Sequence, residues 1–230
     1  MGFGASVRKS ATACDVHRNT SFRWRRRFLD LPDSQRATLL SYCARSPHPG
    51  MAEADETVFL ELFKGKKRGL SRAPRKRGGN AAKRGLSDER ISVLICRDRA
   101  GNTADFVLAR ADKEHIGAVL KPILATDAIL CTDGGRALGA AAREMGIAHR
   151  PVNLAQGIRA IAGVYPVQNV NAYDSRLKTW MNRFHGVATR HPANCLGWRR
   201  PIERCNNATQ PRNILLAALG VKQVQQLTVT

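Results

Sequence analysis

The chain lacks the features that define several large protein classes. It has no apolar run approaching the roughly 20 residues that cross a bilayer, and no apolar signal core near its start. Those absences exclude an integral helical membrane protein and argue against secretion through a cleaved leader. The six cysteines (Cys14, Cys43, Cys96, Cys131, Cys195, Cys205) include no C-x-x-C pair, so neither a structural zinc site nor a dense disulfide scaffold is expected. They read as buried or incidental thiols in a reducing cytoplasm. Acids are scarce as well: 18 Asp and Glu stand against 38 Lys and Arg, a net charge of +20. A surplus of that size favours a polyanionic partner, and among soluble proteins nucleic acid is the commonest. What is present is enough apolar material, 43% of 230 residues, to build a core in one domain with an appendage or in two small domains.

Residues 1–30 read as a helix-turn-helix DNA-binding segment. Ser6–Ala13 forms a first helix, Cys14-Asp15-Val16-His17 turns, and Arg18–Leu29 forms a second. In the second helix Phe22, Arg25 and Leu29 share one face, while Arg23, Arg26 and Arg27 point elsewhere. Asn19, Thr20 and Arg23 lie near its beginning, as in a recognition helix whose N-terminal residues reach base edges. The candidate DNA-binding residues are therefore Arg18, Asn19, Thr20, Arg23, Arg26 and Arg27; the competing reading is a basic surface helix without sequence readout. The segment is too short to fold alone, and the reading expects an N-terminally truncated chain. Residues 31–50, with Pro32, Pro47, Pro49 and Gly50 around a short helix near Ser34–Ala44, form a linker.

Residues 51–204 carry the pattern of an α/β domain, and 205–230 a C-terminal tail. Thr57–Phe63 is a strand candidate with Asp55 just before it. Lys64 to Gly85 follows with ten cations and no acid, Lys66, Lys67, Arg68, Arg75, Lys76 and Arg77 among them. Its charge forbids burial, so it is expected to be a mobile insertion that either clamps DNA or merely spaces two strands. Ile91–Cys96 and Ala104–Ala109 pair as a hairpin across a turn at Asp98 and Gly101-Asn102. A helix over Lys113–Leu124, an apolar interior strand over Ala128–Cys131, a helix over Arg136–Met145, a strand within Ile147–Val152 and a helix over Asn171–Phe184 complete the order β-β-β-α-β-α-β-α. That order predicts a ribonuclease H-like mixed sheet flanked by helices.

Asp133 closes the interior strand beside Gly134 and Gly135, where ligand sites gather in α/β sheets. Asp55 stands near the start of the first strand, where a hairpin partner could bring it alongside. Two carboxylates from adjacent strands are the minimum clamp for Mg²⁺, and a pair of such ions supports phosphodiester cleavage. The alternative makes Asp133 the cap of the next helix. Asn171, Lys178 and His185 are spaced by seven and share a helix face if the helix extends that far; Asn171 can offer a carbonyl to the metal and Lys178 a point charge to a phosphate. The alternative is a solvated polar face.

Three stretches carry a family resemblance: Ala54-Asp55-Glu56-Thr57 with the basic run after it, Leu130-Cys131-Thr132-Asp133-Gly134-Gly135, and Val170-Asn171-Ala172-Tyr173 through Ser175-Arg176-Leu177-Lys178 to Phe184-His185-Gly186-Val187-Ala188-Thr189. Together with His17-Arg18-Asn19-Thr20-Ser21 they resemble bacterial insertion-sequence transposases of the ISXO type, a DDE-like group whose third acidic residue is often Asn. The resemblance implies Asp55, Asp133 and Asn171 as ligands of a two-Mg²⁺ site that Mn²⁺ can also fill, and Lys178 as a DNA-contacting partner. It further implies cleavage and strand transfer at element ends, double-stranded DNA as partner, assembly as a homo-oligomer on DNA, and a cytoplasmic, nucleoid-associated location. The family usually carries His where Pro166 and Asp174 stand, and its upstream zinc ribbon is absent. The rival readings are an inactive, truncated DNA-binding remnant and a structure-specific nuclease.

Overall fold

A computed structural model describes residues 5–29, 50–64, 68–70, 72–73, 79–83, 87–99, 101–152, 160–161 and 165–204. Five strands, β1 (Met51–Leu60), β2 (Arg90–Asp98), β3 (Thr103–Leu108), β4 (Ile129–Thr132) and β5 (Ala148–Pro151), form one sheet in the order β3-β2-β1-β4-β5. β1 runs antiparallel to β2 and parallel to β4; β2 and β3 are antiparallel, and β4 and β5 parallel. An antiparallel meander extended by two parallel strands is the ribonuclease H-like arrangement, as the element order predicts. A short ribbon of β6 (Ala160–Ile161) and β7 (Tyr165–Pro166) lies apart from this sheet.

Period-two alternation sorts the strands' side chains onto two faces. Ala52, Ala54, Leu94, Cys96 and Leu130 pack with α3 (Lys113–Leu120) and α4 (Arg136–Met145). Val93, Ile95 and Cys131 pack on the other face with Val170, Tyr173, Leu177 and Trp180 of α5 (Gln168–Asn182) and Cys195 and Leu196 of α6 (Pro192–Arg204). Polar bonds lock this second layer. The Tyr173 hydroxyl donates to Asp105 at 2.6 Å, Arg200 pairs with the same carboxylate, and Glu203 accepts from Arg97, Arg176 and Arg199. The buried Cys96, Cys131 and Cys195 are free thiols, pushed up to about 12, 11 and 11 by burial, which leaves them protonated and inert.

Several boundaries differ from the sequence expectation. β1 starts at Met51, six residues before Thr57, because ladder pairing from Ala52↔Asp98 to Leu60↔Arg90 overrides the weak strand propensity of Ala and Glu. Asp55 thus lies within the strand, and the neighbour that brings Asp133 alongside is the parallel β4, not a hairpin partner. α3 stops at Leu120 because Pro122 cannot continue it, although Ile123 and Leu124 remain in the core. α5 ends at Asn182, and His185 sits beyond it in a left-handed turn (φ 49°), so it does not extend the helical face of Asn171 and Lys178. α6 was not expected. Pro192 reads as a break but occupies the first helical position, where its missing N–H costs nothing.

At the other end, α1 (Val7–Ala13) and α2 (Arg18–Leu29) flank a turn at Cys14–His17 in which Asp15 takes φ 48°. Ser6 caps α1 by accepting from the Lys9 N–H at 3.2 Å. The face shared by Phe22 and Arg25 divides, since Arg25 turns inward and Phe22 does not. Ser21 is buried and donates to the Val7 carbonyl at 3.2 Å, and Arg25 donates to the Ala5 carbonyl, while Phe22 is 48% exposed. Arg25 also lies over the Phe184 ring at 4.6 Å, seating α2 against the end of α5. The expected helix near 34–44 and the tail at 205–230 fall outside the described residues.

Candidate active site

β1 and β4 pair in parallel through Met51↔Ile129, Ala52↔Leu130 and Glu53↔Cys131. Asp133 follows directly on the last residue of β4, two positions past Cys131, as Asp55 lies two past Glu53 in β1. The two carboxylates feel one another. Burial first, then the charge of Asp133, pushes Asp55 up to about 6, with Asp174 adding to the rise and the Glu56 N–H and Lys178 opposing it. Glu56 is pushed up to about 7, again by burial first, then by Asp133 and Asp55.

Each aspartate is oriented by its own backbone surroundings. Asp55 Oδ1 accepts from the Glu56 N–H at 2.8 Å, and Asp133 Oδ1 accepts from the Gly135 N–H at 3.0 Å. Gly135, not Asp133, is the N-cap of α4. The glycines have distinct reasons: Gly134 has φ +92°, and a Cβ at Gly135 would lie 3.3 Å from Asp133 Oδ1.

α5 crosses this edge of the sheet. Asn171 stands in its first turn, half-buried, and Lys178 lies two turns on. Lys178 does not point freely outward: its ammonium donates to Asp174 Oδ2 at 2.6 Å. Asp174 Oδ1 is buried without a hydrogen-bond partner. Asp174 is thus a member of the site that spacing by seven passed over, although a residue three after Asn171 shares its helix face. Glu53 is a second. It is 1% exposed and accepts from the Asn169 and Val170 N–H groups and the Asn169 side chain. Its signal was the alternation that puts Glu53 and Asp55 on one face of a strand, visible only once the strand is known to start before them.

The candidate DNA-binding residues divide. Arg18, Asn19 and Arg23 are exposed on α2 and Thr20 is half-buried; Arg26 and Arg27 belong to α2, but their side chains lie outside the described residues. In the basic segment Arg68 is exposed, whereas Lys66, Lys67, Arg75, Lys76 and Arg77 lie outside the described residues. The expectation that this segment finds no acid is corrected at Arg72. That residue pairs with Glu61 at 3.8 Å, donates to the Glu61 carbonyl at 2.7 Å and stacks on Phe63. Lys64 likewise donates to the carbonyls of His185 and Gly186.

Among the described residues no three His, Cys, Asp or Glu side chains form a tight metal-binding group, and no helix is long and apolar enough to cross a membrane. No protein-family model matches the chain, and no curated protein does. Among solved structures, a Mos1 transposase paired-end complex with the left transposon end is similar at 13% identity, over 89% of this chain and 74% of that one, with a TM-score of 0.28. A pre-cleavage Mos1 transpososome is similar at 12% identity, over 96% and 76%, with a TM-score of 0.24. At TM-scores this low the fold assignment rests on strand order and register.

Proposed function

We propose that the chain is an insertion-sequence transposase of the ISXO-type group, cleaving and joining DNA strands with bound Mg²⁺. What supports this reading is the parallel pairing of β1 and β4, which puts Asp55 in one strand and Asp133 just past the end of its neighbour, with the charge of Asp133 felt at Asp55 and Asn171 and Lys178 on α5. The donor set fits a hard cation. It is all oxygen, Asp55 is raised to about 6 by burial first and then by the charge of Asp133, and Asp174 Oδ1 nearby is a buried oxygen without a donor. Mg²⁺ needs only one or two carboxylates and keeps several waters, so two aspartates and an amide carbonyl suffice. Asp55, Asp133 and Asn171 would hold the ions, with Mn²⁺ as a substitute. When bound, such ions activate the attacking oxygen and stabilise the leaving one in phosphodiester chemistry.

The chain's own residues position and neutralise. Burial of Asp55 fixes one carboxylate, and the Gly135 N–H fixes the other. Lys178 supplies a point charge for a phosphate oxygen once it leaves Asp174. Arg18, Asn19, Thr20 and Arg23 present a polar, cationic face to double-stranded DNA, and Arg68 with the surrounding basic run adds charge beside the site. Element ends and target DNA are then the partners, with a homo-oligomer assembling on them at the nucleoid.

A strand-transfer assay on labelled ends of the element, with and without Mg²⁺, tests the reading. Mg²⁺-dependent nicking followed by joining is expected, lost in Asp133→Ala while DNA binding persists. Cutting without joining would make the protein a nuclease, and binding without cutting a DNA-binding remnant.

A further inference from the structure

We propose that Glu53 is a positioning residue, which sets the helix bearing Asn171 and Lys178 against the strand bearing Asp55. The inference rests on the transposase reading above and names a residue which that reading does not use. Glu53 is a carboxylate at 1% exposure in the central strand, two residues from Asp55 and on the same face. Its Oε2 accepts from the N–H groups of Asn169 at 2.8 Å and Val170 at 3.0 Å, and its Oε1 accepts from Asn169 Nδ2 at 2.7 Å. Those two N–H groups belong to the first turn of α5, which receives no side-chain cap from its own N-cap residue Val167. The strand therefore caps the helix.

The geometry ties both halves of the site to one side chain. Asp55 lies about 7 Å along the strand from Glu53, at ~3.3 Å per residue, and Asn171 lies two residues past Asn169. A helix end can be satisfied cheaply by a local Ser or Asp, whereas a carboxylate taken out of water is costly unless every lone pair is met. A cap delivered from the sheet does something a local one cannot: it fixes helix register and rotation relative to the strand. An apolar residue at 53 would pack, but it would leave the buried Val170 N–H and the partly buried Asn169 N–H without this acceptor and the helix free to slide.

The test uses Glu53→Gln and the reciprocal swap Glu53→Gln/Asn169→Asp in the full chain. The single change replaces an acceptor by an NH₂ that faces the donors of Asn169; the swap lets that NH₂ donate to a new carboxylate at 169. Glu53→Gln is expected to lose protection of the α5 amides in hydrogen exchange. It should also cut the cleavage rate by about 10-fold or more and raise the half-saturating Mn²⁺ concentration several-fold, the scale seen when groups that orient metal ligands are removed. DNA affinity should stay within about twofold, because the substrate-binding charges of α2 are untouched. The swap should restore all three readouts. A single mutant that melts earlier yet, well below its melting temperature, keeps the wild-type cleavage rate and Mn²⁺ dependence would overturn the positioning role and leave the transposase reading standing. A wild-type chain without metal-dependent cleavage would overturn that reading, and the positioning role with it.

Discussion

The Lys178 ammonium lies 2.6 Å from Asp174 Oδ2, one helical turn away on α5, with the lysine half-exposed and the aspartate largely covered. A lysine held this way is aimed but not yet available to a phosphate. Asp174→Asn should release it and remove a negative charge from the edge proposed to face DNA. The expected outcome is a salt dependence of DNA binding steeper by about one released counterion, read from affinity against log salt. An unchanged slope would place Lys178 away from the DNA backbone.

Asp55 makes stability depend on pH in a direction opposite to most paired carboxylates. Its folded-state value is raised from 3.8 to about 6, chiefly by burial and then by Asp133, so the folded chain holds its proton more tightly than the unfolded one. The contribution is favourable below about pH 4 and is lost as pH rises through about 6. Asp55→Asn should therefore melt higher than wild type at pH 7.5 in EDTA, by about 1–2 kcal/mol after allowance for partial solvent screening, and should not cleave. The difference between the two melting curves should shrink toward pH 4. A wild-type advantage at pH 7.5 in EDTA would contradict the crowding of the two carboxylates.

Neutralising Arg23, Arg26 and Arg27 together should lower DNA affinity and flatten the salt dependence by about two to three counterions, near 0.9 per phosphate contact. Arg25→Ala is the contrasting variant. It removes the cation over the Phe184 ring and should loosen the docking of α2 on the end of α5 more than it weakens phosphate contacts. Equal salt slopes in the triple mutant and wild type would remove α2 from the DNA interface.

Gly186 has φ +95°, and a Cβ there would meet Leu62 Cδ1 at 2.6 Å. Gly186→Ala should destabilise by about 1–3 kcal/mol, from backbone strain and overpacking together. For a chain of this size that is a fall in melting temperature of several degrees, at about 2–4 °C per kcal/mol. The measurement is thermal unfolding followed by circular dichroism.

The element order, and with it the ribonuclease H-like class, was legible in the sequence because β2 and β4 are apolar, β-branched runs bounded by turn residues and β3 follows β2 across a Gly-Asn turn. β1 was half-legible. Met51–Ala54 carries no strand signal of its own, and only the ladders with β2 and β4 make it extended. That hid Glu53, whose role depends on knowing that it shares a face with Asp55. Asp174 was hidden differently: as a single residue it reads as a departure from a family pattern, and its contact with Lys178 emerges only from helix geometry. α6 was missed because Pro192 can open a helix as readily as it closes one.

The joint between Leu62 and Thr189 decides when the fold around Asp55 can close. The Leu62 N–H donates to Thr189 Oγ1 at 2.9 Å and its carbonyl accepts from the Thr189 N–H at 2.9 Å, across 127 residues of sequence. β1 is made early but takes its parallel neighbour β4, its capped helix α5 and this terminal seam from chain synthesised much later. Contacts that distant must await closure of long loops, so they form late in folding. During synthesis, then, a chain that has not yet reached Thr189 carries Asp55 without the framework that aims it, and the proposed site is complete only when the seam can shut.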